Sequence, residues 1–117
     1  MPVCYITLSE GVELEQRAIE SIRQIIARGL NSKSRLLDEN HIVVRTQKSA
    51  RQFMLGEIEI DIFAQFFFRR YLSRDKRARY ISAEVVKLTK KDCATWINMS
   101  IVGYSRVTKD GSSFYSD

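Results

Sequence analysis

The sequence predicts an α/β fold in which two tandem β-α-β units build a four-stranded sheet with two helices on one face. Three observations carry that expectation. Apolar residues recur at three- and four-residue spacing in two separate stretches. Short runs rich in β-branched and aromatic residues flank each stretch. The halves 2–46 and 57–104 repeat this order, and 117 residues suit a single domain spanning 1–117 with a substantial core.

Val3 to Leu8 alternates Val3, Tyr5 and Thr7 with Cys4, Ile6 and Leu8, the pattern of a strand. Ser9 and Gly11 punctuate it. Leu14, Ala18, Ile22, Ile25, Ile26 and Leu30 then share one helix face, which places the first helix from about Glu13 to Leu30. A polar loop from Asn31 to Asn40 leads to Ile42, Val43 and Val44, a short apolar run expected to be a buried strand. A hinge is expected around Thr46 to Gly56. Beyond it, Glu57 to Ile62 alternates strictly and predicts a half-buried strand continuing toward Phe68. From Ser73 the period changes, and Ala78, Ile81, Val85 and Leu88 mark a second helix. Strand character returns from Thr95 to Val102. Lys109-Asp110-Gly111 is a turn signal, after which Ser112 to Asp117 is expected to form a short hairpin arm or fray.

Nineteen Lys and Arg against fourteen Asp and Glu give a net charge of +5. The segment from Arg69 to Lys91 holds nine basic and two acidic residues, a local +7 that attracts anions. Two cysteines, Cys4 and Cys93, and one histidine, His41, leave no set for a zinc site or disulfide scaffold, so neither metal nor cofactor is expected. Both cysteines read as small core residues and His41 as structural. The start of the sequence lacks a basic leader followed by a long apolar stretch, and no segment approaches the roughly 20 apolar residues that span a membrane. A cytoplasmic protein with no membrane partner is the expectation.

Met1-Pro2 leads directly into a strand, Leu8-Ser9-Glu10-Gly11 opens an amphipathic helix, Ile42-Val43-Val44 follows, and the whole repeats in outline. This resembles the tautomerase superfamily, which includes 4-oxalocrotonate tautomerase, macrophage migration inhibitory factor and cis-3-chloroacrylic acid dehalogenase. Trp96-Ile97-Asn98 and Gly111-Ser112-Ser113-Phe114 are similar to the last strand and tail of the inhibitory-factor branch. The resemblance implies a long-chain, homotrimeric member acting on a small carboxylate substrate by keto-enol isomerisation or a related lyase or dehalogenase reaction. It implies Pro2 as general base once Met1 is removed. It also implies Arg69 and Arg70 as carboxylate-binding groups, and Trp96, Asn98 and Lys33 as pocket residues. Where 4-oxalocrotonate tautomerase has an arginine after the glycine of the first turn, this chain has Val12, and Trp96 stands where the inhibitory-factor branch usually has a hydroxyl-bearing aromatic.

Three bare sheet faces are expected to close around a threefold axis in the trimer, with the edge strands paired between subunits, the Glu57 to Ile62 segment among them. Glu57, Glu59 and Asp61 fall on one side of that segment and read as a solvated edge or subunit interface. Two other function classes fit the same order of elements. One is a non-catalytic structural or interaction protein of the same fold. The other is a nucleic-acid-binding β-α-β-β-α-β module with Tyr5 and Phe63 stacking on bases. The three carboxylates of the third strand stand where such a module needs basic and aromatic residues, so no specific nucleic acid is expected.

Overall fold

A computed structural model describes residues 2–31, 39–49, 56–65, 68–100, 104–107 and 113–116. The elements in chain order are β1 (Val3–Leu8), α1 (Gln16–Leu30), a 3-10 turn (Glu39–His41), β2 (Val43–Lys48), β3 (Ile58–Gln65), α2 (Phe68–Leu72), α3 (Arg74–Thr89), β4 (Cys93–Ser100), β5 (Tyr104–Val107) and β6 (Ser113–Ser116). The main sheet has the order β2-β1-β3-β4. β1 runs parallel to β2 and antiparallel to β3, and β3 runs parallel to β4. Each parallel pair is joined through a helix, as two side-by-side β-α-β units require.

Alternation along the strands decides the core. Cys4, Ile6 and Leu8 of β1 and Ile58, Ile60, Ile62 and Ala64 of β3 are buried beneath Ile22, Ile26 and Leu30 of α1 and Ile81 and Val85 of α3. Gly29 sets how closely the helices approach, because a Cβ there would lie 2.5 Å from Ile81 Cγ1 and 2.8 Å from Ile81 Cδ1. At the other end of α1, Gly11 takes φ +84° within a turn that the Val12 N–H closes onto the Ser9 carbonyl at 3.0 Å. That backbone region favours glycine, so the chain reverses here without strain.

Several boundaries move from the sequence reading, each for a physical reason. α1 starts at Gln16, not Glu13, because Val12 turns into the core and Glu15, with φ −70° and ψ 155°, remains extended as the N-cap. β2 runs to Lys48, into the expected hinge, and its last four residues are exposed. It is an edge strand, so a buried strand is not what its position allows. β3 ends at Gln65, and Phe68 opens the short helix α2 instead of extending the strand. β3 also lies between β1 and β4, so its own edges are already paired and cannot join a neighbouring subunit; the free edges belong to β2 and β4. Leu88, expected in the core, is 43% exposed in the last turn of α3. The tail does form a hairpin, with β5 and β6 antiparallel, while the turn signal at Lys109 to Gly111 lies outside the described residues.

Candidate functional site

Pro2 is buried at the start of β1, an interior strand, and its carbonyl accepts the Val43 N–H at 3.0 Å. The antiparallel register Val3↔Phe63 brings the end of β3 to this same edge of the sheet. α2 begins three residues beyond β3, so the topology carries Arg69 and Arg70 to the end of the sheet that holds Pro2. The pair is helical, and the two side chains diverge by about 100° instead of pointing to opposite faces of a strand. Their environments differ accordingly. Arg70 is only 3% exposed, whereas Arg69 is open to solvent.

Asn98 and Trp96 stand on β4, in register with Phe63 and Asp61 respectively. By strand parity they share the face of the sheet that the helices leave open, together with Val3, Tyr5 and Thr7. Continued alternation places Pro2 on the helix side, in keeping with its burial. The chain therefore gathers Pro2, Arg69 and Arg70 at one end of the sheet and holds Trp96 and Asn98 on the opposite face. Asn98 Nδ2 donates to the Ile62 carbonyl at 3.4 Å, and Trp96 is 37% exposed. Trp96 also edges a cleft of about 530 Å3 whose other walls are Asp75, Ala78, Arg79, Ser82 and Thr95. Lys33 lies outside the described residues.

The open face is polar and aromatic in character. Tyr5 and Phe63 meet edge to face, with centroids 5.9 Å apart and planes at 83°. Gln47 Nε2 donates to Thr7 Oγ1 at 2.9 Å. Burial, and then the neighbouring Glu59, push the Asp61 carboxyl above the usual carboxylate range. On the covered face, burial pushes the Cys4 thiol up to about 12, with Arg23 partly opposing the shift, so this thiol is inert at neutral pH. Burial likewise raises the Cys93 thiol, against smaller effects of hydrogen bonding with Thr95 and Ser82. Both cysteines thus behave as the small packing residues the sequence suggested. His41 is exposed in the 3-10 turn, and the described residues contain no group of three or more His, Cys, Asp or Glu placed to hold a metal ion.

Sequence reasoning missed Arg77. Its Nε donates to Ser73 Oγ at 2.8 Å, and its Nη1 donates to the carbonyls of Gly29 at 2.9 Å and Asn31 at 2.8 Å. A charged residue on the second helix thereby caps the end of the first. No local pattern announces this, since the acceptors stand 46 and 48 residues away.

No helix among the described residues is long and apolar enough to cross a membrane. No protein-family model matches the sequence, and no curated protein matches it either. Solved structures do match. Leishmania major MIF2 aligns with a TM-score of 0.59 at 11% identity, over 97% of this chain and 97% of its own. N1, a member of the cis-3-chloroacrylic acid dehalogenase family, aligns with a TM-score of 0.59 at 11% identity, over 94% of this chain and 81% of its own. A fused 4-OT wild-type symmetric trimer aligns with a TM-score of 0.59 at 8% identity, over 95% of this chain and 94% of its own. At such identities the likeness is one of fold, and the chain has the four-stranded, tandem β-α-β fold of tautomerase-superfamily proteins that its sequence resembles.

Proposed function

We propose that the protein, once Met1 is removed, is a keto-enol isomerase of small α-keto carboxylates, or a lyase or dehalogenase of related chemistry, with Pro2 as general base. The observation that carries this reading is the burial of Pro2 at the start of an interior strand, with Arg69 and Arg70 delivered to the same end of the sheet. In the full sequence the Pro2 nitrogen is an amide; removal of Met1 turns it into a secondary amine. A free α-amino group ordinarily titrates near about 7.7 to 8.0, and burial beside cations disfavours its protonated form. Such an amine accepts a proton from the carbon next to a ketone near neutral pH and returns it to the other end of the enolate. Arg69, at the exposed rim, holds the substrate carboxylate. Arg70, desolvated, supplies the positive potential that favours the enolate oxygen. As proposed, the step is a proton transfer carried by these side chains.

Trp96 and Asn98 face away from Pro2 within one protomer, so in this reading they serve the pocket of a neighbouring copy, and the protein is a homotrimer. The symmetric-trimer form of a protein with the same fold supports that assembly. Carboxylates also bear on the nucleic-acid alternative. Glu59 and Asp61 flank the Tyr5 and Phe63 rings on the open face, where they repel a phosphate backbone.

The test is enol decay of phenylpyruvate followed by ultraviolet absorbance, on protein whose loss of Met1 is verified by intact mass. Pro2→Ala should abolish the activity, and Arg69→Ala should chiefly raise KM while Arg70→Ala lowers kcat. Equal activity of parent and Pro2→Ala removes the mechanism and leaves a non-catalytic protein of the same fold.

A further inference from the structure

The proposed reaction uses only the first two cations of the Arg69 to Lys91 run. Because β1 and β3 are antiparallel and each is parallel to its partner strand, α1 and α3 also run in opposite directions. The last turn of α1 and the first turns of α3 thus meet at one end of the molecule. Between them is a cleft of about 290 Å3, walled by Arg28, Gly29, Ser73, Lys76, Arg77 and Tyr80. Three of these six residues are cations, and none is an acid.

Among the described residues, no carboxylate pairs with any of the three cations. The side chains of Arg28 and Lys76 make no hydrogen bond or ion pair with another described residue. Arg77 is fixed in place by its three bonds to Ser73 Oγ and the Gly29 and Asn31 carbonyls, all of them neutral acceptors. Two consequences follow. Two carbonyls at the end of α1, those of Gly29 and Asn31, which would repel an anion, are already occupied by the guanidinium. The Arg77 Nη2 retains two N–H donors with no partner among the described residues. Partial burial also holds the Arg77 guanidinium below its ordinary range.

We propose that this cleft binds a small phosphate monoester, its dianionic head held by Arg28, Lys76 and Arg77 and its flat apolar body resting on Tyr80. A phosphate head carries roughly −1.5 to −2 at neutral pH and three strong acceptor oxygens, which matches several cations approaching from both helices better than a single carboxylate does. The cleft lies at the low end of the size range for small-molecule sites. The cleft opens at the same end of the molecule as Pro2, but none of its walls is a residue assigned to the Pro2 reaction, and it stands whether or not Pro2 is a base.

The experiment is an amide-resolved NMR titration of the full chain with phenyl phosphate, benzoate and inorganic phosphate, each compared with sodium chloride at equal ionic strength. Phenyl phosphate should give saturable shifts centred on Gly29, Ser73, Lys76 and Arg77, at an affinity about tenfold above that of benzoate. An Arg28→Ala/Lys76→Ala variant, whose substitutions remove only exposed side chains, should keep its dispersed spectrum and bind about tenfold more weakly. Tyr80→Ala should weaken phenyl phosphate and leave inorganic phosphate unchanged. Shifts reproduced by chloride, shifts centred elsewhere, or equal binding by the double variant would each overturn the assignment. Benzoate binding as tightly as phenyl phosphate would overturn the phosphate preference.

Discussion

The two faces of the main sheet are made by the same strands, residue by alternate residue, and hold opposite chemistries. Beneath the helices lie Cys4, Ile6, Leu8, Ile58, Ile60, Ile62 and Ala64, all buried. On the other side lie Val3, Tyr5, Thr7, Glu59, Asp61 and Phe63, in register with Trp96 and Asn98 of β4. One face is closed by packing within the chain. The other is set by hydroxyls, carboxylates and aromatic edges, groups that specify a partner or a ligand more than they drive collapse. The contrast teaches that a single strand can be read twice, once for stability and once for association, provided its register is known.

Adjacent residues on β3 give the strongest test of the contrast. Ile62→Ala should cost about 4 kcal/mol in urea unfolding, because it leaves a cavity in the closed core. Phe63→Ala, one residue on, should cost about 1 kcal/mol, since its ring is 36% exposed and makes one edge contact with Tyr5. In the proposed trimer the loss at Phe63 should grow with protein concentration as neighbouring copies cover the open face; a loss equal to that at Ile62 at every concentration would break the comparison.

A smaller effect is expected where the helix layer is tightest. Gly29→Ala adds a methyl group against Ile81, and although alanine favours a helix by roughly 1 kcal/mol, overpacking should leave a net loss of about 1 to 2 kcal/mol. A gain in thermal stability instead would show that α1 and α3 slide apart at no cost.

The smallest effect, and the one that belongs to the open face alone, is pH-dependent. Burial first and Glu59 second hold the Asp61 carboxyl above its ordinary range. The native state therefore takes up this proton more readily than the unfolded chain does. Ionised Asp61 costs stability at neutral pH, and that cost disappears once both states are protonated in acid. Asp61→Asn should raise the Tm at pH 7 and converge with the parent as the pH falls through the carboxylate range. A constant difference at all pH values would assign the effect to packing.

The strands and both long helices were legible because their periods are local: Ile22, Ile25, Ile26 and Leu30 need only one another to define a face, and the alternation from Ile58 to Ile62 does the same at period two. The short helix α2 was not legible. Phe68, Arg69 and Arg70 have no period over so few residues, and a strand ending in aromatics looks the same from sequence. Edge and interior strands were confused for a different reason, since β2 carries an apolar start like an interior strand and the carboxylates of β3 look like an edge. Strand order is a property of pairing over long range, not of either segment. In the candidate site, the shared end of Pro2, Arg69 and Arg70 follows from the resemblance and the antiparallel register together. The opposite placement of Trp96 and Asn98 needed parity relative to β1, which only the register Val3↔Phe63↔Asn98 supplies.

The place of β1 has a consequence for how the protein is made. Among the described strands the one synthesised earliest, β1, is interior, and its two neighbours, β2 and β3, begin only at residues 43 and 58. The first unit can pair Val3 with Val43 early, but the opposite edge of β1 remains unpaired until β3 has emerged. Ile58, Ile60 and Ile62 then wait for α3, which brings Ile81 and Val85 to cover them. Between the emergence of β2 and that of α3 the chain thus displays an apolar half-sheet with an open inner edge, the kind of surface that nascent-chain chaperones protect and that associates wrongly when they are scarce.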